Sequence, residues 1–297
     1  MENARGAALM VLSMAGFALE DMFIKLMGGA LPVGQILIGL GSGGALFFGS
    51  WAVLRGQPPL TASMLVGASG LRALFEALAS IGFVAALTLV PISVVTTIIQ
   101  ANPLLVTLGA ALFFGEPVGW RRWSAIVVGL AGVIIVLRPL GAGFQAATLL
   151  AVLGVLAQTG RDLATRRISG TITTIQLSTL GFAVAIPAGV MVLLVSGDRL
   201  VVPDLRNLAY LFGAIGIGIP SLYCIIAAIR IGDISFVAPF RYSRIIFGLL
   251  IGFSVFGETL DFYTLLGAAI IVASGLYSFA REARLRRRPF PASAATL

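Results

Sequence analysis

The sequence predicts an all-α integral membrane protein of ten transmembrane helices, built as two inverted five-helix repeats with both termini in the cytoplasm. Apolar residues make up 59% of its 297 residues and charged residues 11%, whereas a soluble domain carries about 25% charged residues. Ten apolar stretches are long enough to cross a bilayer, which takes about 20 residues each. Short matches also recur at a nearly constant offset between the two halves of the chain.

Proline, glycine and charged residues separate the predicted spans. The first span differs from a signal peptide because its apolar core is long, only Arg5 precedes it, and Glu20, Asp21 and Lys25 interrupt its end, so we expect it to be retained. An alternative of nine spans would reject the third or the ninth stretch for its charges. The ten spans run over about 6–27, 33–54, 71–90, 92–114, 122–138, 147–166, 173–196, 207–229, 234–256 and 262–280.

The distribution of arginines predicts the orientation, because cytoplasmic loops of membrane proteins are enriched in basic residues. With an internal N-terminus, the outer loops hold only Arg138, Arg199 and Arg206. The basic tail over 283–297 is expected on the cytoplasmic side. The cytoplasmic segments hold the larger set of bases: Arg5, Arg55, Arg72, Arg121, Arg122, Arg161, Arg166, Arg167, Arg230 and those of the tail from Arg281. The expected location is the inner membrane of a bacterium.

The two halves match each other in order along the chain. Shifting by 141 residues places Asp21 on Asp162 and Lys25 on Arg166. Shifting by 142 places 92–93 on 234–235 and the Phe-Gly-Glu sequence of 114–116 on that of 256–258. We therefore expect a first repeat at 1–140 and a second at 141–282. Five spans per repeat invert the second copy, the architecture of alternating-access transporters with a substrate site near the midplane.

Several functional classes are excluded by what the chain lacks. It contains no histidine and a single cysteine, Cys224, which removes histidine-dependent triads and dyads, most zinc sites and any disulfide framework. There is no P-loop motif for nucleotide binding, and we expect no cofactor. The net charge of +8 is scattered over short loops, so we expect no nucleic-acid partner.

The stretch from 71 to 139 resembles the EamA-type half of the drug/metabolite transporter superfamily. The resemblance rests on Arg72 at the start of the third span, Pro-Ile-Ser at 91–93, Pro103 within the fourth span, and Phe-Phe-Gly-Glu ending at Glu116. Gly129 and Gly132 complete it in the fifth span. The stretch from 151 to 281 is similar to a second copy.

The resemblance implies ten helices, inverted halves, an inner-membrane location and export of small metabolites, most like the bacterial exporters of amino acids and aromatic amino acids. The second copy departs from the pattern at three positions. Asp233 replaces the proline of the turn, and Arg241 and Arg244 lie inside the ninth span.

Arg244 is the leading candidate for substrate binding, because it is expected at the midplane and charges there usually mark pathways or ion pairs. Its guanidinium could bind a substrate carboxylate through two parallel hydrogen bonds. Alternatively, Arg244 and Arg241 could be neutralised by Glu76, Glu20 or Asp21 and join two helices. Further candidates for substrate binding are four polar residues expected at a similar depth, most of them related by the repeat, and one acid nearer the inner mouth: Gln100, Asn102, Gln158, Tyr242 and Glu76.

Three acid–base pairs lie four residues apart, the spacing at which side chains meet on a helix. They are Asp21 with Lys25, Asp162 with Arg166, and Arg72 with Glu76. Each is either a self-neutralising pair near a helix end or a gate contact that breaks during transport. Pro103 and Pro239 interrupt the repeat-related fourth and ninth spans, where bending would help gating. Glu116 and Glu258 are interpreted as boundary markers.

The sequence therefore favours an inner-membrane exporter of small metabolites, with amino acids including aromatic and apolar ones as substrates, working as a facilitator. One alternative is a proton-coupled exporter of drugs and cations, which would need an unpaired carboxylate in the membrane. Another is a membrane enzyme acting on lipid-linked substrates, and a third is a structural subunit. The expected partners are the small-molecule substrate and membrane lipid, with the protein monomeric or weakly oligomeric.

Overall fold

The computed structural model describes residues 2–139, 144–168 and 172–286, and every regular element in these ranges is helical. The predicted basic tail beyond Arg286 lies outside the described residues. The helices are α1 (Glu2–Met27), α2 (Val33–Leu54), α3 (Gly67–Leu89), α4 (Ile92–Ile99), α5 (Asn102–Phe114), α6 (Trp120–Leu137), α7 (Thr148–Thr165), α8 (Thr174–Ser196), α9 (Leu205–Ile231), α10 (Ile234–Val237), α11 (Ser243–Phe256) and α12 (Phe262–Arg286), with 3₁₀ segments at Ala62–Leu65 and Ala238–Tyr242.

The fourth and ninth spans are each broken close to the proline that the sequence contains there. In the fourth span, Gln100 and Ala101 separate α4 from α5, and Pro103 lies in the first turn of α5. In the ninth span, the 3₁₀ segment Ala238–Tyr242 separates α10 from α11 and has Pro239 in its first turn. A proline lacks the N–H that a helix interior needs but fits a first turn. Each proline therefore starts a new helical segment.

The Phe-Gly-Glu sequences end α5 and α11 in the same way. Gly115 and Gly257 adopt the left-handed conformation, with φ of 65° and 62°. Glycine is favoured there because it has no Cβ to clash, and a left-handed residue closes the last helical turn. The motif thus stops both helices and leaves Glu116 and Glu258 just beyond their ends.

The helices pack in a pattern that is unchanged when the two repeats are exchanged. Helix α1 packs on α9, and the equivalent helices α7 and α3 pack on each other. Two further large contacts join a helix to its own counterpart, α2 to α8 and α6 to α12, and the fourth span meets the ninth through α4 and α11. The two halves are therefore related by an approximate two-fold axis and meet along the whole length of the molecule.

Among the described residues, nine helical segments are long and apolar enough to cross a membrane, counting α4 and α5 as one. Helix α7 is the segment that falls short, because it carries Gln158, Arg161 and Asp162. It packs between α3, α4 and α5. The alternative of nine spans would have rejected the third or the ninth stretch. Among the described residues, the stretch that is not apolar enough is instead the sixth.

The outer surface is apolar, and the buried core surrounds the fourth span. Large apolar side chains at the perimeter are exposed, including Leu54 and Val195. Leu87, Ile92 and Ile98 are fully buried. A soluble protein would need polar residues at the perimeter, so this surface fits lipid.

Candidate functional site

A cavity of about 390 Å³ lies at the centre, between the two halves, where the broken fourth and ninth spans face each other. Its size falls within the range of ligand pockets, about 300–1,000 Å³. Of the predicted site residues, the lining includes Asp21, Arg72, Glu76, Gln100, Asn102, Pro103, Gln158 and Arg244. The cavity does not include Lys25, Asp162, Arg166, Pro239 or Tyr242 among its lining residues.

Arg244 is bound to Asp21, one of the structural partners that the sequence suggested. Its Nη2 donates to both oxygens of Asp21 at 2.7 and 2.9 Å, and its Nε donates at 3.2 Å. The guanidinium also lies over the rings of Phe17 and Phe83, at 5.4 and 5.5 Å from their centroids. Asp21 is 1% exposed, so this pair joins α1 to α11 at the cavity wall.

A second charged cluster lies on the opposite wall, where α3 meets α7. Arg161 donates to Glu76 at 3.1 Å and, through two nitrogens, to Asp162 at 2.8 and 3.0 Å. Glu76 also contacts Arg72 at 3.4 Å, which confirms that predicted pair. Arg161 holds the cluster together, although it was not among the predicted site residues. The sequence feature that could have identified Arg161 is its position next to Asp162 within an apolar span.

The predicted polar residues at the cavity differ in whether their side-chain amides already have hydrogen-bond partners. Asn102 donates to Asp162 at 2.9 Å and accepts from Thr159 at 3.0 Å, so its amide is committed to α7. Gln100 donates to the backbone carbonyl of Arg241 at 2.7 Å, which links the break in one repeat to the break in the other. Within the described ranges, the amide of Gln158 has no hydrogen-bond partner and faces the cavity.

Tyr242 is not where the sequence placed it. Its ring packs on Phe279, 6.3 Å between centroids, and its hydroxyl lies against Gly275, so that a Cβ on this glycine would overlap it. The hydroxyl is buried and makes no hydrogen bond in the described structure. Because the 3₁₀ segment turns differently from the α-helix assumed at this position, the side chain points toward α12 and away from the cavity.

Two of the three predicted pairs within a helix are wrong, since each base forms its ion pair with an acid of the other repeat. Lys25 donates to the carbonyls of Leu87 and Val90, which are left free at the end of α3, and lies 3.9 Å from Glu258. Arg166 donates to Glu116 at 2.9 Å. These contacts are equivalent under the repeat, because Lys25 corresponds to Arg166 and Glu258 to Glu116.

Glu258 does more than mark a boundary. It accepts hydrogen bonds from the backbone N–H of Ile92 at 2.7 Å, and from the N–H and hydroxyl of Ser93 at 3.1 and 2.7 Å. It therefore caps the start of α4 from the other repeat, where the helix dipole favours a negative charge. The Lys25–Glu258 side chains are 15% and 10% exposed, against 46% and 51% for Arg166–Glu116. The contact at the Lys25 end is thus buried more deeply than its counterpart at the Arg166 end.

Comparison with known proteins gives the same architecture. Residues 4–138 and 145–279 each match the EamA-like transporter family. A riboflavin transporter of Rhizobium johnstonii is 31% identical over 73% of this chain and 72% of its own length. An S-adenosylmethionine uptake transporter of Rickettsia conorii is 27% identical over 68% of each chain.

Two more distant likenesses cover nearly the whole chain. A pseudopaline exporter of Pseudomonas aeruginosa is 24% identical over 91% of this chain and 94% of its own length. A protein of known crystal structure shares the fold, with a TM-score of 0.58 at 19% identity over 91% of this chain and 98% of that one. The repeated family match covers both halves of this multi-pass chain, which is therefore a membrane transporter belonging to the EamA-like transporter family.

Proposed function

We propose that this protein transports small organic metabolites that carry a carboxylate, amino acids among them, across the bacterial inner membrane. The observation that carries the proposal is Arg241. It lies on the 3₁₀ break of the ninth span and lines the central cavity without an ion pair or a side-chain hydrogen bond among the described residues. Discontinuous helices at the repeat interface form the substrate sites of many transporters, and a guanidinium matches a carboxylate.

This assignment moves the carboxylate-binding role from Arg244 to Arg241. Arg244 is already occupied by Asp21, and a substrate would have to displace that carboxylate. S-adenosylmethionine carries an α-amino-acid group, so the relatives named for its uptake support the same substrate class. The relatives include both uptake transporters and an exporter. Export remains our expectation for the direction.

A second candidate is transport of a neutral planar compound such as riboflavin. The 31% identical relative is named for riboflavin, and the rings of Phe17, Phe83 and Phe182 line the cavity. Aromatic side chains bind planar rings by stacking. This candidate needs no charge in the site, so it differs from the first in its dependence on Arg241.

The two repeat-related ion pairs are the proposed gates. Lys25–Glu258 closes one end and Arg166–Glu116 lies at the other, and alternating access would form and break them in turn. With the predicted orientation, both termini are cytoplasmic and the Lys25 end faces the periplasm. Arg72–Glu76 and the Asp21–Arg244 pair line the path between the gates. We expect a monomer with no cofactor, because each repeat completes the cavity with its counterpart in the same chain.

The proposal is tested by flux into liposomes that hold the purified protein, with and without a pH gradient. The panel contains phenylalanine, leucine, S-adenosylmethionine, riboflavin and the cationic dye ethidium. We expect saturable flux of the carboxylate-bearing compounds. Flux of riboflavin alone would favour the second candidate, proton-driven flux of ethidium alone would favour the cation exporter, and no flux would contradict the proposal.

A further inference from the structure

Most charges at the central cavity cancel in pairs that are bonded to each other. Asp21 is bound to Arg244. A second group holds two acids and two bases joined by three ion pairs: Arg72, Glu76, Arg161 and Asp162. Once these are set aside, one carboxylate and one guanidinium remain on the cavity wall, Glu20 and Arg241. Neither makes an ion pair or a side-chain hydrogen bond within 2–139, 144–168 and 172–286.

Glu20 is held at the cavity by its place in α1. The next residue, Asp21, takes the guanidinium of Arg244, so the nearest base is already neutralised. The Glu20 carboxylate lies against Gly218 of α9, where an added Cβ would come within 2.8 Å of it. An unpaired carboxylate at this depth is rare in membrane proteins and usually marks a substrate or ion path.

Arg241 is left free by a different arrangement. The acid Asp162 is not available to it, because Arg161 donates to one of its oxygens through two nitrogens and Asn102 donates to the other. The carbonyl of Arg241 accepts from Gln100, which holds the backbone of the break in place. The guanidinium is therefore positioned, and its donors are open to the cavity.

We propose that Glu20 and Arg241 are the two poles of the substrate site, and that the substrate is a zwitterion. Its cationic group contacts Glu20 and its carboxylate contacts Arg241. The inference deepens the proposed function and rests on it. The two residues lie on different elements and form no ion pair with each other, so each lacks a partner of opposite charge. A bound zwitterion would supply both partners. Hydrogen bonds to ionised groups are the strong ones in a site of low dielectric.

The walls between the poles accept an apolar group. Phe83 and Phe182 line the cavity beside Leu222 and Ile225. A zwitterion with an apolar or aromatic side chain therefore fits both the charges and the walls. A dicarboxylate would place a negative charge beside Glu20, and a simple amine would leave Arg241 without an anionic partner.

The test uses matched sets of compounds in liposomes that hold the full chain. Each of phenylalanine, leucine and methionine is compared with its N-acetyl derivative, which keeps only the carboxylate, and with its decarboxylated amine. For the wild-type protein we expect the parent compound to inhibit its own labelled flux at least tenfold better than either derivative. In E20Q we expect the parent compound to inhibit labelled flux at least tenfold less well than in the wild type, while inhibition by the N-acetyl compound is unchanged. In R241Q we expect inhibition by the parent compound again to fall at least tenfold, while inhibition by the amine is unchanged.

Matched controls come from the exposed loop that joins α8 to α9. D198N and R199Q remove one charge of each sign outside the cavity, and we expect both to transport like the wild type. If E20Q or R241Q fails to fold, G218A supplies a second variant, since its methyl group pushes the Glu20 carboxylate aside without changing its charge. G218A should weaken inhibition by the parent compound more than inhibition by the N-acetyl compound.

The outcomes separate the inference from the proposed function. Equal transport of a parent and its N-acetyl derivative, unchanged in E20Q, would overturn the zwitterion but keep the carboxylate. Transport of the amine alone, lost in E20Q and kept in R241Q, would overturn both in favour of cation transport. Absence of flux for all members of the three sets and for S-adenosylmethionine would also overturn both.

Discussion

At the scale of single residues, Arg244 shows how a buried ion pair differs from a binding site. Its guanidinium makes three hydrogen bonds to Asp21, which is almost fully buried. Removing one partner of such a pair leaves an uncompensated charge and is strongly destabilising, whereas removing both is much less so. The same residue that the sequence marked for substrate binding therefore has a structural role that can be measured separately.

We predict that R244Q lowers the free energy of unfolding by about 3–5 kcal/mol, because Asp21 loses its partner. The double variant D21N/R244Q should recover most of that loss. Unfolding of the purified protein in detergent micelles measures both, with R199Q as the control. If R244Q unfolds like the wild type but transports with a higher KM, Arg244 binds substrate directly and its pairing with Asp21 is not structural.

Tyr242 gives the opposite expectation. Its hydroxyl is buried without a partner among the described residues, and an unsatisfied buried hydroxyl costs about 1–3 kcal/mol. Y242F should therefore unfold at the same temperature or a higher one, with an unchanged KM. A marked rise in KM for Y242F would show that the tyrosine reaches the substrate in another state of the transport cycle.

At the scale of helices, the two broken spans are joined by one hydrogen bond. Gln100 donates to the carbonyl of Arg241, so it links the break in the first repeat to the break in the second. The bond lies beside the proposed guanidinium pole, and the backbone there has lost its regular helical partners. The elements that the prolines interrupt are thus held together across the repeats.

We predict that Q100A lowers stability by about 0.5–1.5 kcal/mol, the usual net value of one hydrogen bond, and lowers the transport rate. The matched control is Q35A, since Gln35 also bridges to a distant backbone, that of Val201, but at an exposed position. Equal loss of transport in both variants would show that the effect is general destabilisation and does not depend on the breaks.

At the scale of the whole molecule, the approximate two-fold symmetry creates two equivalent contacts in unequal states. Glu258 is only 10% exposed, meets Lys25 and caps α4, whereas Glu116 is half exposed and meets Arg166. A transporter whose halves exchange conformations would exchange these two environments. If these pairs are the gates, as proposed, the more deeply buried contact marks the Lys25 end as the closed one.

We predict that E258Q costs about 1–2 kcal/mol of stability, since a charged cap is lost at a helix start. E116Q should cost less than about 1 kcal/mol, as expected for an exposed ion pair. E258Q should also open the Lys25 end. In a C224A background, L37C should then react faster with a membrane-impermeant thiol reagent applied from that side, whereas E116Q should not speed this reaction.

The sequence predicted the polar positions better than their partners. It placed Gln100, Asn102 and Arg244 at the level where the cavity lies, because unusual polar residues stand out in apolar spans. It paired Asp21 with Lys25 because they are neighbours on a helix. It also offered Asp21, Glu20 and Glu76 as possible partners of Arg244. The structure selects Asp21, which is 223 positions away, and no local pattern could choose among the three.

The sequence by itself determined that this chain lies in a membrane, that it is helical, and that it repeats. These properties follow from apolar length and from offsets that can be read along the chain. Only the tertiary structure decided which charges cancel, which remain at the cavity, and which of the two repeat-related ion pairs is more deeply buried. The reason is that an ion pair depends on a few ångströms between side chains of different helices. Helix packing sets those distances after the order of spans is already given.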